Sequence, residues 1–578
     1  MNDVVCDSLE RHFDTAFAAP DGIKKLRELI LTLAMQGKLV EQDRNDPPAS
    51  QLLKEIEAEK KRLVKEGKIK APKPLPEIKP EEVPYALPQG WEWVRLGGIS
   101  EYIQRGKGPT YSEIQEIPVI SQKCIQWDGF NKSVVRFIDP STLDAYQNER
   151  LVRNGDLLWN STGTGTIGRV NLYADELSEF PHVVADSHVT VVRLIGLCNS
   201  FVLSYLMSPA IQSRIEENAS GTTNQIELNT TTVINQIVPL PPLPEQHRIV
   251  AKIDQLMARC DELEKLRDER EQKRRSVHTA ALKQLLDVQA GDSFADAWQF
   301  ITQHFGELYA VRENVTELRK AILQLAVMGK LVPQNPNDPP ASQLLKEIEA
   351  EKKRLVKAGK IKAHKPLPEI KSEDVPYALP KGWEWVHFEE IVDIGSGITK
   401  GRHLAGRKTV FVPYLRVANV QRGYLDLREI KEIEIPDNEV EKLQLKTGDL
   451  LITEGGDWDK VGRTSIWRSE IPLCAHQNHI FKARKILDRQ NEIWLETYMN
   501  ANTARAYFAG ASKQTTNLAS INKTQLRGCP IPIPPLPEQN RIVTKLDSLI
   551  SLCVTLEQQI DAAARQQTTL LDAVMAQV

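Results

Sequence analysis

The sequence predicts an α/β protein: two α/β domains separated by long helices that form an antiparallel coiled coil, in a chain duplicated about an internal pseudo-two-fold, circular repeat. Three observations predict it. Residues 45–65, NDPPASQLLKEIEAEKKRLVK, recur letter for letter at 337–357, a spacing of 292. A second block, PPLPEQHRIVAKIDQLMARC from Pro241, returns as PPLPEQNRIVTKLDSLISLC from Pro534. The two segments between these blocks match weakly and alternate β-branched runs with turn residues, the pattern of short strands among helices.

Along the chain the first block, 1–88, opens with a helix over Ile23 to Gln36 that stops at Gly37, a residue suited to the left-handed position after a helix. A second helix is expected from Asp46 as N-cap, with Pro47 and Pro48 in its first turn and Leu53, Ile56 and Leu63 on its apolar face. Its charged run EIEAEKKR reads as a solvated face. Ala71 to Pro88 is proline-spaced and extended, a semi-rigid strap. Gly90-Trp91-Glu92-Trp93 then opens the first variable domain, 89–240, and its tryptophans read as packing residues. Strands are expected at Val183 to Val192, Phe411 to Arg416 and Asp449 to Thr453, and helices at Phe201 to Glu216 and Ile493 to Ala509.

After Pro242 the apolar residues Ile249, Ile253, Leu256, Cys260 and Leu263 step by four and three, and Ile542, Leu546, Leu549, Cys553, Leu556 and Ile560 repeat the step, continued by Leu570 and Val574. That is a heptad seam, parallel or antiparallel. About 40 residues of helix make a rod of roughly 60 Å, a ruler between two domains. The remaining divisions are a central region 241–380, a second variable domain 381–533 opened by Gly382-Trp383-Glu384-Trp385, and a terminal helix 534–578.

Composition excludes several classes. In 578 residues, 41% are hydrophobic and 26% charged, ordinary for a chain that folds around its own core. The seven cysteines are scattered without a C-x-x-C pair, so neither a disulfide framework nor a zinc site is expected. No secretory leader or membrane span is expected, which places the chain in the cytoplasm. A net charge of −3 rules out a polybasic nucleic-acid coat but leaves room for local basic loops.

Catalytic signatures fail on inspection. Asp46-Pro47-Pro48-Ala49 and its copy at Asp338 lack the aromatic that an adenine-methyltransferase motif needs to stack a flipped base. Gly401 to Thr409, GRHLAGRKT, misses the phosphate-loop lysine and reads as a basic loop. Pro436-Asp437 with Glu439 and Lys442 is too compressed for a nuclease carboxylate set. His188 and His479 occupy matching places and read as structural histidines rather than contacts.

The paired order of motifs resembles the specificity subunit of Type I restriction-modification enzymes, in the subgroup with an extended N-terminal conserved region. The resemblance is carried by Gly90 to Val94 and Gly382 to Val386, Gly155-Asp156-Leu157-Leu158 and Gly448-Asp449-Leu450-Leu451, Thr222-Thr223-Asn224 and Thr515-Thr516-Asn517, and Pro242 to Gln246 and Pro535 to Gln539. It covers nearly the whole chain. It implies a non-catalytic subunit whose variable segments each read one half of a bipartite, asymmetric site in double-stranded DNA. The helices would set the spacer and dock two methyltransferase subunits, joined by restriction subunits. S-adenosylmethionine would sit on the methyltransferase subunits, ATP and magnesium on the restriction subunits, and no cofactor or metal on this chain. The alternative is a coiled-coil scaffold with two protein-binding domains.

Base edges are read by arginine, lysine, asparagine and glutamine, and phosphates by other polar and basic groups. The expected DNA contacts in the first domain are Gln104, Arg105, Lys107, Tyr111, Lys123, Ser161, Thr162, Thr164, Thr166 and Asn224. In the second they are Thr399, Lys400, Arg402, Arg407, Arg416, Asn419, Asp457, Trp458, Lys460, Lys513 and Asn517.

Overall fold

The computed structural model describes residues 14–15, 17–163, 165–219, 228–287, 293–401, 403–456, 460–511, 513–515 and 518–576. The chain divides into two compact units, residues 1–269 with 563–578, and residues 270–562.

The first unit opens with the helices Gly22–Met35 and Ala49–Lys65. Gly37 ends the first of these at φ 67°. Its N–H donates to Ala34 and that of Lys38 to Leu33, a closing pair that satisfies two terminal carbonyls. Glycine has a second reason here, since a Cβ would lie 2.4 Å from Cγ of Pro88. The second helix begins later than its sequence suggests, with Pro48 at the cap position. Asp46 is not its cap: the carboxylate pairs with Arg248 at 2.7 Å, because a guanidinium offers it a charge-assisted bond that the helix N-terminus cannot match. Leu52 is buried in this helix where Leu53 is only half-buried.

The strap follows, extended except for a turn at Pro80–Glu82. Arg95 binds it down, donating to the carbonyls of Pro76 and Glu77 and pairing with Glu82. Strand Glu92–Arg95 pairs antiparallel with Ile237–Leu240, setting Trp93 opposite Pro239. Proline is tolerated because this ribbon has only two strands and both are edges.

The first variable segment holds two four-stranded sheets. One is antiparallel in the order Ser100–Arg105, Val189–Leu194, Leu157–Asn160, Val170–Leu172. The other runs Val184–Ala185, Pro118–Ile120, Arg136–Ile138, Tyr111–Ser112. The strand expected over Val183 to Val192 is therefore two strands, split by a turn in which Oδ1 of Asp186 accepts the N–H of His188. The helix expected over Phe201 to Glu216 is likewise two, Asn199–Leu206 and Pro209–Ala219, because Pro209 cannot continue the first.

The long helix Leu243–Leu286 buries Ile249, Ile253 and Cys260 in one core with Ile30, Ala34, Ile56 and Trp91. Leu263, expected on the same seam, is exposed. Residues 563–576 return to this unit, where Leu571 packs with Phe17, Ala19 and Leu29.

The second unit repeats the frame. Helices Arg312–Val327 and Ala341–Lys357 stand for the opening pair, and Gly329 closes the former as Gly37 does. Glu384–His387 pairs with Pro530–Ile533. One sheet runs Val392–Ser396, Ile480–Lys485, Leu450–Thr453, Thr464–Ile466, and a second runs Lys431–Pro436, Thr409–Leu415, Ala475–His476. A third, Gly455–Gly456, Leu518–Ser520, Lys513–Thr515, has no counterpart among the described residues of the first domain. The helix expected over Ile493 to Ala509 breaks at Ala501 into Glu492–Asn500 and Asn502–Ala511. Ile542, Leu546 and Cys553 of the helix Leu536–Met575 are buried.

Candidate nucleic-acid interface

The Gly-Asp-Leu-Leu motifs set the strand on which each candidate interface is built. Gly155 and Gly448 turn the chain at φ 87° and 85°. The next residue is a buried aspartate that accepts from a backbone N–H, of Arg153 or Lys446, and binds an arginine with both oxygens. Asp156 holds Arg193 at 2.7 and 2.6 Å, and Asp449 holds Arg484 at 2.6 Å twice. Each arginine lies on the neighbouring strand, so the clasp locks the two strands together. Burial pushes the Asp156 carboxyl up while Arg193 pulls it down. The frame tryptophans donate to buried glutamates of the long helices, Trp91 to Glu245 at 3.1 Å and Trp383 to Glu538 at 3.0 Å. Burial raises both carboxyls above the ordinary glutamate value.

At the far end of that strand several loops converge in the first domain. Gly106 passes so close to the turn at Ala185 and Asp186 that a Cβ would lie 2.1 Å from a carbonyl oxygen. Asn160 donates to the carbonyl of Gln122, and Thr162 shares a 2.6 Å bond with Nδ1 of His188. Thr166 donates to the Thr162 carbonyl and to Gln122. Arg105 donates to the carbonyl of Leu228. Lys107 and Tyr111 are exposed, Lys107 5.7 Å over the Tyr146 ring and Tyr111 covered by Arg136 at 3.3 Å. Gln104 is half-buried in its strand and Lys123 is exposed. Ser161 is a correction: it is buried and spends its hydroxyl on Thr190 and the Trp159 carbonyl, inside the sheet rather than on the surface. Thr164 and Asn224 lie outside the described residues.

In the second domain Gly397 makes the same close approach, with a Cβ 2.2 Å from the His476 carbonyl. Thr399 and Lys400 are exposed beyond it, Lys400 lying 5.5 Å over Tyr414. Arg407 is exposed and 3.5 Å from Glu439. Arg416 pairs with Glu429 at 3.2 Å. Asn419 is a second correction. It is buried, accepting from the Arg416 N–H and donating to the carbonyls of Asp426 and Glu429, so its amide holds a loop and has no edge left for a base. Lys460 is half-buried beside the turn, its carbonyl accepting from Thr453. Lys513 lies on an edge strand. Arg402, Asp457, Trp458 and Asn517 lie outside the described residues. His479 bonds Glu454 at 2.7 Å, and burial drives the neighbouring His476 down to about 4.

Sequence reasoning missed a set of residues in this cluster. Arg169 donates to Oε1 of Gln126 at 2.7 Å, and Arg463 donates to Oε1 of Gln421 at 2.7 Å. The signal was available as Gly168-Arg169 and Gly462-Arg463, each glycine at positive φ. Among the described residues no group of three or more histidine, cysteine or acidic side chains is placed to hold a metal, and no helix is long and apolar enough to cross a membrane.

A sequence profile for the Type I restriction modification DNA specificity domain matches residues 88–271 and 380–566. The chain is 34% identical to the EcoAI Type I restriction enzyme specificity subunit of Escherichia coli, over 96% of this chain and 93% of that one. It is 33% identical to the EcoEI specificity subunit of the same species, with the same coverage. The crystal structure of an HsdS subunit from Thermoanaerobacter tengcongensis aligns with 85% of this chain and 98% of its own, at 19% identity and a TM-score of 0.41.

Proposed function

The chain belongs to the Type I restriction modification DNA specificity family, and from that premise we propose that it is the non-catalytic reader of a restriction-modification complex. Each variable domain reads one half of a bipartite site in double-stranded DNA. Two unlike domains read two unlike half-sites, so the target is not a palindrome. The long helices hold the domains about one helical turn apart, roughly 34 Å on the duplex, and pair with each other as an antiparallel coiled coil. The repeated frames dock two methyltransferase subunits through matching surfaces, and restriction subunits join them. S-adenosylmethionine belongs to the former, ATP and magnesium to the latter, and the complex works in the cytoplasm.

One observation carries this reading: both halves match the specificity domain, on frames with the same contacts, while their loops differ. Polar and basic groups converge at one end of each domain, the chemistry that groove readout needs. The test is to express the chain with its methyltransferase subunit and map methylated adenines. Replacing residues 96–238 with the corresponding segment of another family member is expected to change one half of the mapped motif. A change in both halves would sink the two-reader assignment.

A further inference from the structure

The two variable domains keep one polar constellation in common. In each, a small hairpin follows a strand of the second sheet, Ile125 pairing with Phe130 and Val420 bridging to Leu425. The hairpins are equivalent by backbone bonding as well: the N–H of Asn131 reaches the Cys124 carbonyl as that of Asp426 reaches Asn419. Gln126 and Gln421 therefore hold the same place, and each grips the arginine of a Gly-Arg pair, Arg169 or Arg463. The carbonyls of these arginines accept the N–H of Asn160 and Thr453. The carbonyls of His188 and His479 accept the N–H of the very next residues, Ser161 and Glu454. Arginine and histidine thus flank the same strand end in both domains, at the starts of the two strands on either side of it, two strand spacings or roughly 10 Å apart.

Both histidine rings are fixed through Nδ1, by Thr162 in one domain and Glu454 in the other, which leaves Nε2 as the nitrogen for a ligand. Because Nδ1–H of His479 donates to the Glu454 carboxylate, its Nε2 donates to an anion only when the ring carries both protons. Both rings are exposed. Arg169 is held by neutral oxygens, Gln126 Oε1 and the Gly165 carbonyl. A guanidinium has five donors, so its plane is set while its charge stays available to an anion.

We propose that these glutamine-held arginines, with the paired histidines, are the sequence-independent phosphodiester contacts of the two domains. This rests on the specificity-subunit reading above: groups common to two unlike readers must meet what two unlike half-sites share. That is the phosphate backbone, which positions a protein without specifying sequence. The expectation that His188 and His479 serve only as structural residues is revised accordingly.

The test uses the full chain assembled with its methyltransferase subunit, on a duplex carrying the mapped motif and on duplexes with either half replaced. Arg169→Gln and Arg463→Gln are each expected to weaken binding to all duplexes by the same factor, to reduce the slope of log affinity against log salt by about one, and to leave the methylated motif unchanged. Arg169→Lys, which keeps the charge, should keep the slope. His188→Asn and His479→Asn should weaken all duplexes alike with the motif intact. A motif relaxed at one position would make the residue a base reader and overturn the proposal. So would an unaltered slope with a lowered melting temperature, the result for a tie between loops. If the unsubstituted complex shows no sequence-dependent binding, the specificity reading itself fails, a result separate from either of these.

Discussion

The two frames and the two loop ends of the variable domains differ in how closely they repeat. The frames agree at the level of single bonds: Trp91 with Glu245 and Trp383 with Glu538, Asp46 with Arg248 and Asp338 with Arg541, the Tyr85 hydroxyl on the Met35 carbonyl and that of Tyr377 on Val327. At the loop ends of the variable domains the backbone path around the strand bearing Asn160 or Thr453 is kept, but the side chains are exchanged. Ser161, buried against Thr190, becomes Glu454, which reaches His479. Cys124, a buried apolar residue, becomes Asn419, which bonds three backbone groups. The contrast teaches that the strand bearing Asn160 or Thr453, its two neighbours and the small hairpin beside it are held in common, while the side chains they carry and the sheets beyond them vary.

Breaking the aspartate clasp is expected to have the largest effect. Removing one partner of a buried ion pair costs about 3–5 kcal/mol, so Asp156→Ala should lower the unfolding midpoint sharply. Asp449→Ala should cost less, because the Arg484 side chain is 32% exposed against 10% for Arg193 and water can take it over. Equal losses would show that the two clasps are more alike than their exposure implies.

Next come the frame tryptophans. Trp91→Phe and Trp383→Phe each leave a buried carboxylate oxygen without its donor, a loss of about 1–3 kcal/mol. The two losses should agree, and denaturant titration of each variant measures them. Asn419→Ala should cost roughly as much, by the same reasoning, with the methylated motif unchanged. A relaxed motif there would return Asn419 to the reading surface.

The pH dependence is smaller. Glu245 and Glu538 have folded carboxyl values raised by burial. A raised value means the folded state holds the proton more tightly, so stability is full below the ordinary glutamate value and is lost as pH rises through the folded one. Glu245→Gln, which keeps an acceptor for the Trp91 indole, should therefore raise the melting temperature at neutral pH, with the gain vanishing on acidification. At the bottom of the scale, Lys61→Ala and Lys353→Ala remove exposed helix pairs with Glu57 and Glu349 and should leave melting unchanged in both units.

Much of the frame was legible because its determinants are local or repeated: Gly37 ends a helix by its own backbone freedom, and a block restated letter for letter marks its own limits. The errors fall where a distant partner outvoted local propensity. Asp46 looks like a cap until Arg248, far along the chain, claims it. Val183 to Val192 looks like one strand until the Asp186 side chain turns it back on His188. The loop cluster was legible only as a region of the sequence: Lys107, Lys123, Thr162, Thr166 and Lys400 lie on loops at that end of their domains. Its shared arginines were not, because their meaning comes from Gln126 and Gln421 across a loop closure that no periodicity encodes.

The return of residues 563–576 to the first unit has a consequence for synthesis. Leu571 is part of the small core with Phe17 and Leu29, so that core cannot close until the last turns of the final helix leave the ribosome. Residues 270–562 are continuous and can fold as they emerge. At about 5–20 residues per second, the part of the first unit made first waits roughly 15–60 s for residues 563–576, with an apolar face open.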